Sequence, residues 1–203
     1  MRFLVPALAL ALAFPAAAQP PAGLPGVPDT ARVTAGTYKL ETNHSQIVFA
    51  VDHFGFSVFR GFFSGASGSL TIDPANVART QLSVTVPIAS VHTTSGKLDE
   101  ELVSADWFDA GKFPNATFVS TKVTPGPDDT AVVDGNLTIH GVTRPEQLHV
   151  HFHGAGTNPM DKALTAGFEA RMIFNRSEFG VTKYVPVVSD HVELSIVGAF
   201  EKQ

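Results

Sequence analysis

The chain has 203 residues, with 14 Lys and Arg against 19 Asp and Glu, and no cysteine. That length suits one domain with short tails. The absence of thiols excludes disulfides, thiolate metal centres and a cysteine nucleophile, and a formal charge of −5 argues against general affinity for nucleic acid or anionic membranes.

Residues 1–18 have the anatomy of a secretory signal peptide: Arg2, an apolar run from Phe3 to Phe14, then Ala16–Ala18 as a cleavage point before Gln19. The run is too short for the roughly 20 residues a spanning helix needs. The mature protein is therefore expected to be soluble, and without an N-terminal cysteine it cannot be a lipoprotein. Residues 19–36, rich in Pro and Gly, read as a flexible or extended leader. No repeat or composition break divides 37–203, which is expected to be one domain.

That domain is patterned for strands. Ile47, Phe49 and Val51 alternate within 45–51, and Leu82, Val84, Val86 and Ile88 within 81–91. Further strands are expected at 116–123, 135–141, 146–152, 164–174 and 191–200. In 164–174, Leu164, Ala166, Phe168, Ala170, Met172 and Phe174 oppose Thr165, Gly167, Glu169 and Arg171; in 191–200, Val192, Leu194 and Ile196 oppose His191, Glu193 and Ser195. A period of two means one dry face and one wet face. Turn signals at Asp73-Pro74, 125–129, Asp134-Gly135, Gly141 and 154–159 separate the strands. Only 95–109 reads as helical, for about two turns followed by a tighter turn. Many antiparallel strands with one short helix predict an all-β sandwich or closed barrel.

Sixteen Phe against two Tyr and one Trp is unusual. Phe brings apolar area with no polar atom to satisfy. Composition alone reads this as ordinary core; a cavity that must stay apolar is the sharper alternative.

The sequence His149-Val150-His151-Phe152-His153 resembles a metal site at first sight. On a strand, alternate residues are roughly 6.6 Å apart, which places His149 and His153 roughly 13 Å apart. They cannot share one ion at Zn–N distances of about 2.0–2.1 Å. Leu148, Val150 and Phe152 form the dry face, so the histidines are expected to point to solvent and no metal site is assigned. Asn43-His44-Ser45 is no nucleophile arrangement, because strand neighbours face opposite ways. No hydrolase, zincin or phosphate-loop motif occurs, and no catalytic residue is assigned.

Four segments, "NHSQIVFAVDHFGFSVFRGFF" (43–63), "SADWFDAGKFPNATFVST" (104–121), "GNLTIHGVTRPEQL" (135–148) and "NRSEFGV" (175–181), followed by "VSDHVELSI" (188–196), resemble the YceI-like family in content and order. The resemblance implies a single antiparallel lipocalin-like β-barrel of about eight strands over 37–203, located in the periplasm, non-enzymatic and without a cofactor. Its elongated pocket would hold a polyisoprenoid or other long-chain amphiphile, such as an isoprenoid quinone or a fatty-acid-type ligand. The Phe excess then favours the cavity.

With this in view, Phe49, Val51, Phe118, Phe152, Phe168 and Phe174 are the lining candidates. His53, Trp107 and Phe108 are expected near the mouth, and Arg176 is expected to receive a polar head or pair with Glu178. One departure is Glu101, which stands where the family often has His. A carboxylate at the mouth would repel a pyrophosphate head. Two other readings are open: a metal-binding or interaction module using the outer face, and an accessory holding a quinone for a membrane redox partner. A transient membrane partner, and a monomer or homodimer, are compatible with either reading.

Overall fold

The structure is a computed structural model that describes residues 23–203; the signal-peptide expectation for 1–18 lies outside the described residues. Eleven strands form one sheet: β1 (Gly36–Leu40), β2 (Gln46–His53), β3 (Ser57–Phe63), β4 (Ser67–Ile72), β5 (Gln81–Pro87), β6 (Val91–His92), β7 (Asn115–Pro125), β8 (Thr130–Ile139), β9 (Val142–Thr157), β10 (Leu164–Asn175) and β11 (His191–Lys202). The first six are three long strands, each kinked once: β1 with β2, β3 with β4, and β5 with β6. Counted this way, eight antiparallel strands follow one another up and down, and β11 closes the barrel by pairing with both β1 and β2. Closing an eight-stranded sheet removes its edges and leaves a bore wide enough for side chains or one small ligand.

The kink between β1 and β2 is held by polar atoms that replace the missing ladder bonds. The Glu41 carboxylate accepts the backbone N–H groups of Asn43 (3.0 Å) and His44 (2.8 Å). The Ser45 hydroxyl donates to the Glu41 carbonyl at 2.7 Å and accepts the Ala199 N–H from β11 at 3.2 Å. Asn43-His44-Ser45 is thus a corner of the barrel, where backbone groups find side-chain partners.

The alternation read from the sequence is the wall of this barrel. Along β10, Ala166 and Met172 are buried, and Glu169, Arg171 and Ile173 are exposed. Two bulges reset the parity. On β7 the register shifts between Ser120 and Lys122, so that Phe118 and Val123 both face inward. On β9 the extra residue is His153, because Phe152 and Gly154 face the consecutive residues Phe168 and Gly167. Inward residues therefore change from Leu148, Val150 and Phe152 to Ala155.

One end of the barrel is filled. Tyr38 is fully buried and packs with Val33, Phe152, Ala155, Ala166 and Phe200. Its hydroxyl donates to the Thr34 carbonyl at 2.8 Å. The described part of the leader, which includes a single 3-10 turn at Thr30–Arg32, packs against this end. Val27 exchanges backbone bonds with Ala155 (3.2 and 2.9 Å), and Val33 is buried.

At the opposite end lie the β2–β3 turn, the helix α1 (Gly96–Val103) with the turn that follows it, and the 176–190 connection. Ser95 caps α1 by accepting the Leu98 N–H at 3.4 Å, and the helix stops where Ser104 bonds back to Glu101.

Several sequence expectations need correction. Asp134-Gly135 is no turn; it lies inside β8, paired with Gln147 and Glu146. Residues 154–157 belong to β9, and the turn begins only at Asn158. Strands β1, β3 and β4 carry too few alternating apolar residues, or apolar residues on both faces, to be read individually.

Candidate functional site: an apolar cavity and its mouth

The bore encloses a cavity of about 570 Å³. Its floor is Leu40, Ala66, Leu70 and Phe200, backed by the filled end. Its walls are apolar side chains from every strand except β1's outer half, β6 and β9's second half, with Phe49, Phe59, Phe63, Phe118, Phe168 and Phe174 as the rings. Two glycines give the rings room. A Cβ on Gly61 would sit 2.5 Å from the Phe49 ring opposite it, and one on Gly135 would sit 2.3 Å from the Phe118 ring. With hydrogen at those positions, each ring packs directly against the glycine of the neighbouring strand. Phe63 then links the wall to the turn that follows α1, 5.8 Å from Phe49 and 6.0 Å from Phe108 between ring centres.

The mouth is marked by the exposed cavity residues His53, Phe54 and Tyr184. Beside them, Trp107 is buried, with its ring 6.0 Å from Tyr184. Its indole N–H donates to the Glu101 carboxylate at 3.1 Å. Lys183 approaches the same carboxylate at 3.2 Å and that of Asp106 at 3.1 Å. The Trp107 hydrogen bond, with that of Lys183, holds the Glu101 carboxyl below its ordinary range. Bonds to Asp106 and Glu101 push the Lys183 ammonium up. This network ties α1 to the 176–190 connection across the mouth.

Arg176 is 5% exposed. Its guanidinium donates to three carbonyls of that connection: Ser189 at 2.9 Å, Val181 at 2.9 Å and Val188 at 2.8 Å. It also lies over the Trp107 ring, 5.4 Å from the centre. Burial lowers its pKa, and the nearby Asp190 opposes that shift. Asp190 is itself occupied by the N–H and hydroxyl of Ser177 at 2.8 and 2.6 Å. Glu178 is not Arg176's partner; it accepts from Asn175 at 3.4 Å.

The structure brings Phe49, Val51, His53, Trp107, Phe108, Phe118, Phe168, Phe174 and Arg176 to one cavity. Phe152 is the correction. It is buried in the filled end, with its ring 5.7 Å from Phe168, and it supports the wall from behind. Glu101 borders the mouth as expected, and Lys183 bridges it and Asp106, one ammonium between two carboxylates, so the Glu101 charge is only partly offset. Sequence reasoning did not assign Phe54, Phe59, Phe63, Phe179, Tyr184 or Lys183 to the site. The alternation of Phe59, Gly61 and Phe63 was the available signal, and it is masked because Val58 and Phe62 on the other face are apolar too. The three histidines of β9 are all exposed, and His153 lies 3.1 Å from Glu169.

The model of the YceI-like domain matches residues 38–200. The chain belongs to the YceI-like family. Among YceI-like relatives, a UPF0312 protein of Shewanella oneidensis is 35% identical over 167 residues, covering 81% of this chain and 87% of that one. Another, from Pseudomonas fluorescens, is 36% identical over 172 residues, covering 81% and 86%. Among solved structures, BcnA of Burkholderia cenocepacia superposes with a TM-score of 0.72 at 25% identity, over 79% of this chain and 98% of that one. A YceI protein of Campylobacter jejuni gives 0.66 at 28%, over 74% and 89%. A polyisoprenoid-binding domain from Saccharophagus degradans shares the fold at 16% identity, with a TM-score of 0.58 over 82% and 98%. A YceI-like barrel with an apolar bore is a binding protein in its architecture.

Proposed function

We propose that this protein is an exported carrier that holds a polyisoprenoid or similar long-chain amphiphile, with the tail in the barrel and the head at the mouth. The observation that carries this reading is the cavity itself: closed at one end, walled by Phe and aliphatic side chains, and bordered by charge only at its opening. Each buried methylene gains about 0.8 kcal/mol, so a long tail is retained without any specific polar contact. The polar groups at the mouth are engaged in structural bonds, Arg176 with carbonyls and Glu101 with Trp107 and Lys183. That arrangement favours holding a molecule over transforming it. The name of the Saccharophagus degradans domain points to the same ligand class.

Mass spectrometry of an organic extract from the purified protein tests the reading. A stoichiometric lipid with a long unbranched or prenyl chain is expected. A clean extract, together with no binding of added long-chain prenol, refutes the carrier. The same extract identifies the head group and so separates a quinone from a phosphorylated prenol. Export is tested by N-terminal sequencing of protein recovered from outside the cytoplasm, where Gln19 is the expected first residue.

A further inference from the structure

The β2–β3 turn and the 184–187 stretch place five large apolar side chains in solvent: Phe56 (90% exposed), Tyr184 (53%), Val58 (52%), Phe54 (48%) and Val187 (47%). They form one rim. The Phe54 N–H donates to the Val187 carbonyl at 2.7 Å, and His53 bridges to Val188. The turn is held in shape, because Asp52 accepts the Gly55 N–H at 2.7 Å and the Ser189 hydroxyl accepts the Asp52 N–H at 2.9 Å. Phe54 and Tyr184 also line the cavity, so apolar side chains of the bore continue onto the outside of the mouth.

We propose that this rim is a docking surface for the interface of a neutral lipid bilayer, through which the cavity exchanges its ligand. The inference rests on the carrier reading, since a tail taken from a bilayer then meets apolar surface along its whole path. Rings with a polar tip, such as Tyr184, suit the boundary between headgroups and acyl chains. Contiguous exposed apolar surface marks an interaction site, and its position around the opening of a lipid-sized bore selects the bilayer as the occupant. The nearest ammonium, Lys183, is shared by Glu101 and Asp106, and the exposed guanidinium of Arg60 on β3 is matched in number by the exposed carboxylate of Asp52 at the turn, so the rim carries no net positive charge for anionic lipid. Docking is therefore driven by insertion of Phe56 and its neighbours and is indifferent to salt.

Flotation of the purified chain with phosphatidylcholine vesicles tests this. The wild-type protein is expected to float with the vesicles equally at low and high salt. The double variant Phe56→Ser, Val187→Ser alters two rim residues that do not line the cavity. It is expected to bind vesicles at least roughly tenfold more weakly, while its affinity for prenol in vesicle-free buffer is unchanged. Wild type that binds prenol but does not float overturns docking and leaves the carrier standing. Equal flotation of the double variant also overturns it. So does a wild-type dimer that ignores vesicles and becomes monomeric in the double variant, because the rim is then covered by a second copy. Flotation without any prenol binding supports the docking surface and removes the carrier reading.

Discussion

Ala170 offers the most direct test of where a ligand lies. It sits in mid-β10, opposite Val150 on β9 and Ile196 on β11, and all three line the cavity. The substitution Ala170→Phe sends a ring into the bore from one of its small side chains. The ring takes the place of about six methylenes of tail, each worth about 0.8 kcal/mol, so binding is expected to weaken by ~5 kcal/mol, or roughly three decades or more in Kd. The ring enters existing space, so the overpacking penalty of a filled core does not arise, and the unfolding midpoint is expected to hold or rise. The chain's single tryptophan, Trp107, stands at the mouth and reports the titration by its fluorescence. A folded Ala170→Phe protein that binds long-chain prenol as tightly as wild type would refute the placement of the tail in the barrel.

Replacing Arg176 by Ala leaves the carbonyls of Val181, Val188 and Ser189 without their donor. A loss of at least ~3 kcal/mol is expected, seen as a drop of about 6–12 °C in Tm. Arg176→Lys should not restore it, because an ammonium lacks the fork that reaches three acceptors at once. Gly135→Ala forces the Phe118 ring off the wall and toward the lumen; it should cost about 1–3 kcal/mol in chemical denaturation, and the second change Phe118→Leu should recover most of that. The folded-state pKa of Glu101 is depressed, so its tie to Trp107 and Lys183 stabilises the mouth above the ordinary carboxyl value of 4.5 and is lost as pH falls through the lowered one. Prenol dissociation rates, followed by stopped flow, should therefore stay flat across neutral pH and rise only below about 4.5; Glu101→Gln, which keeps an acceptor for Trp107 but not the charge, should release faster at neutral pH.

The wall of the barrel was largely legible from the chain. In β10 and β11 the residue type alternates over most of the strand, with Ile173 and Val197 as exposed apolar exceptions, and the cavity-lining residues fall on the face so marked. Parity fails at bulges, because an inserted residue carries no compositional mark. His153 is one such residue, and beyond it the inward face of β9 passes to Ala155; Phe152 keeps its inward parity but lies at the depth of the filled end, a position along the bore that alternation does not encode. Gly135 misled as a turn signal for a related reason: a glycine kept for a ring from the next strand looks the same as one kept for a turn. The role of Arg176 was illegible because its partners are carbonyls, which every residue has. Glu101 was correctly placed at the mouth, but its partner Lys183 is 82 positions away and lies in a connection without periodicity.

The filled end around Tyr38 turns the barrel into a cul-de-sac. On the proposed carrier reading, a molecule with one greasy end can enter only tail first and must leave by backing out, so the barrel would impose a polarity on its cargo. The head would stay at the threshold for as long as the tail is held. An enzyme or membrane acceptor could then inspect or modify that head while the rest of the molecule remains in storage, making occupancy and accessibility independent of each other.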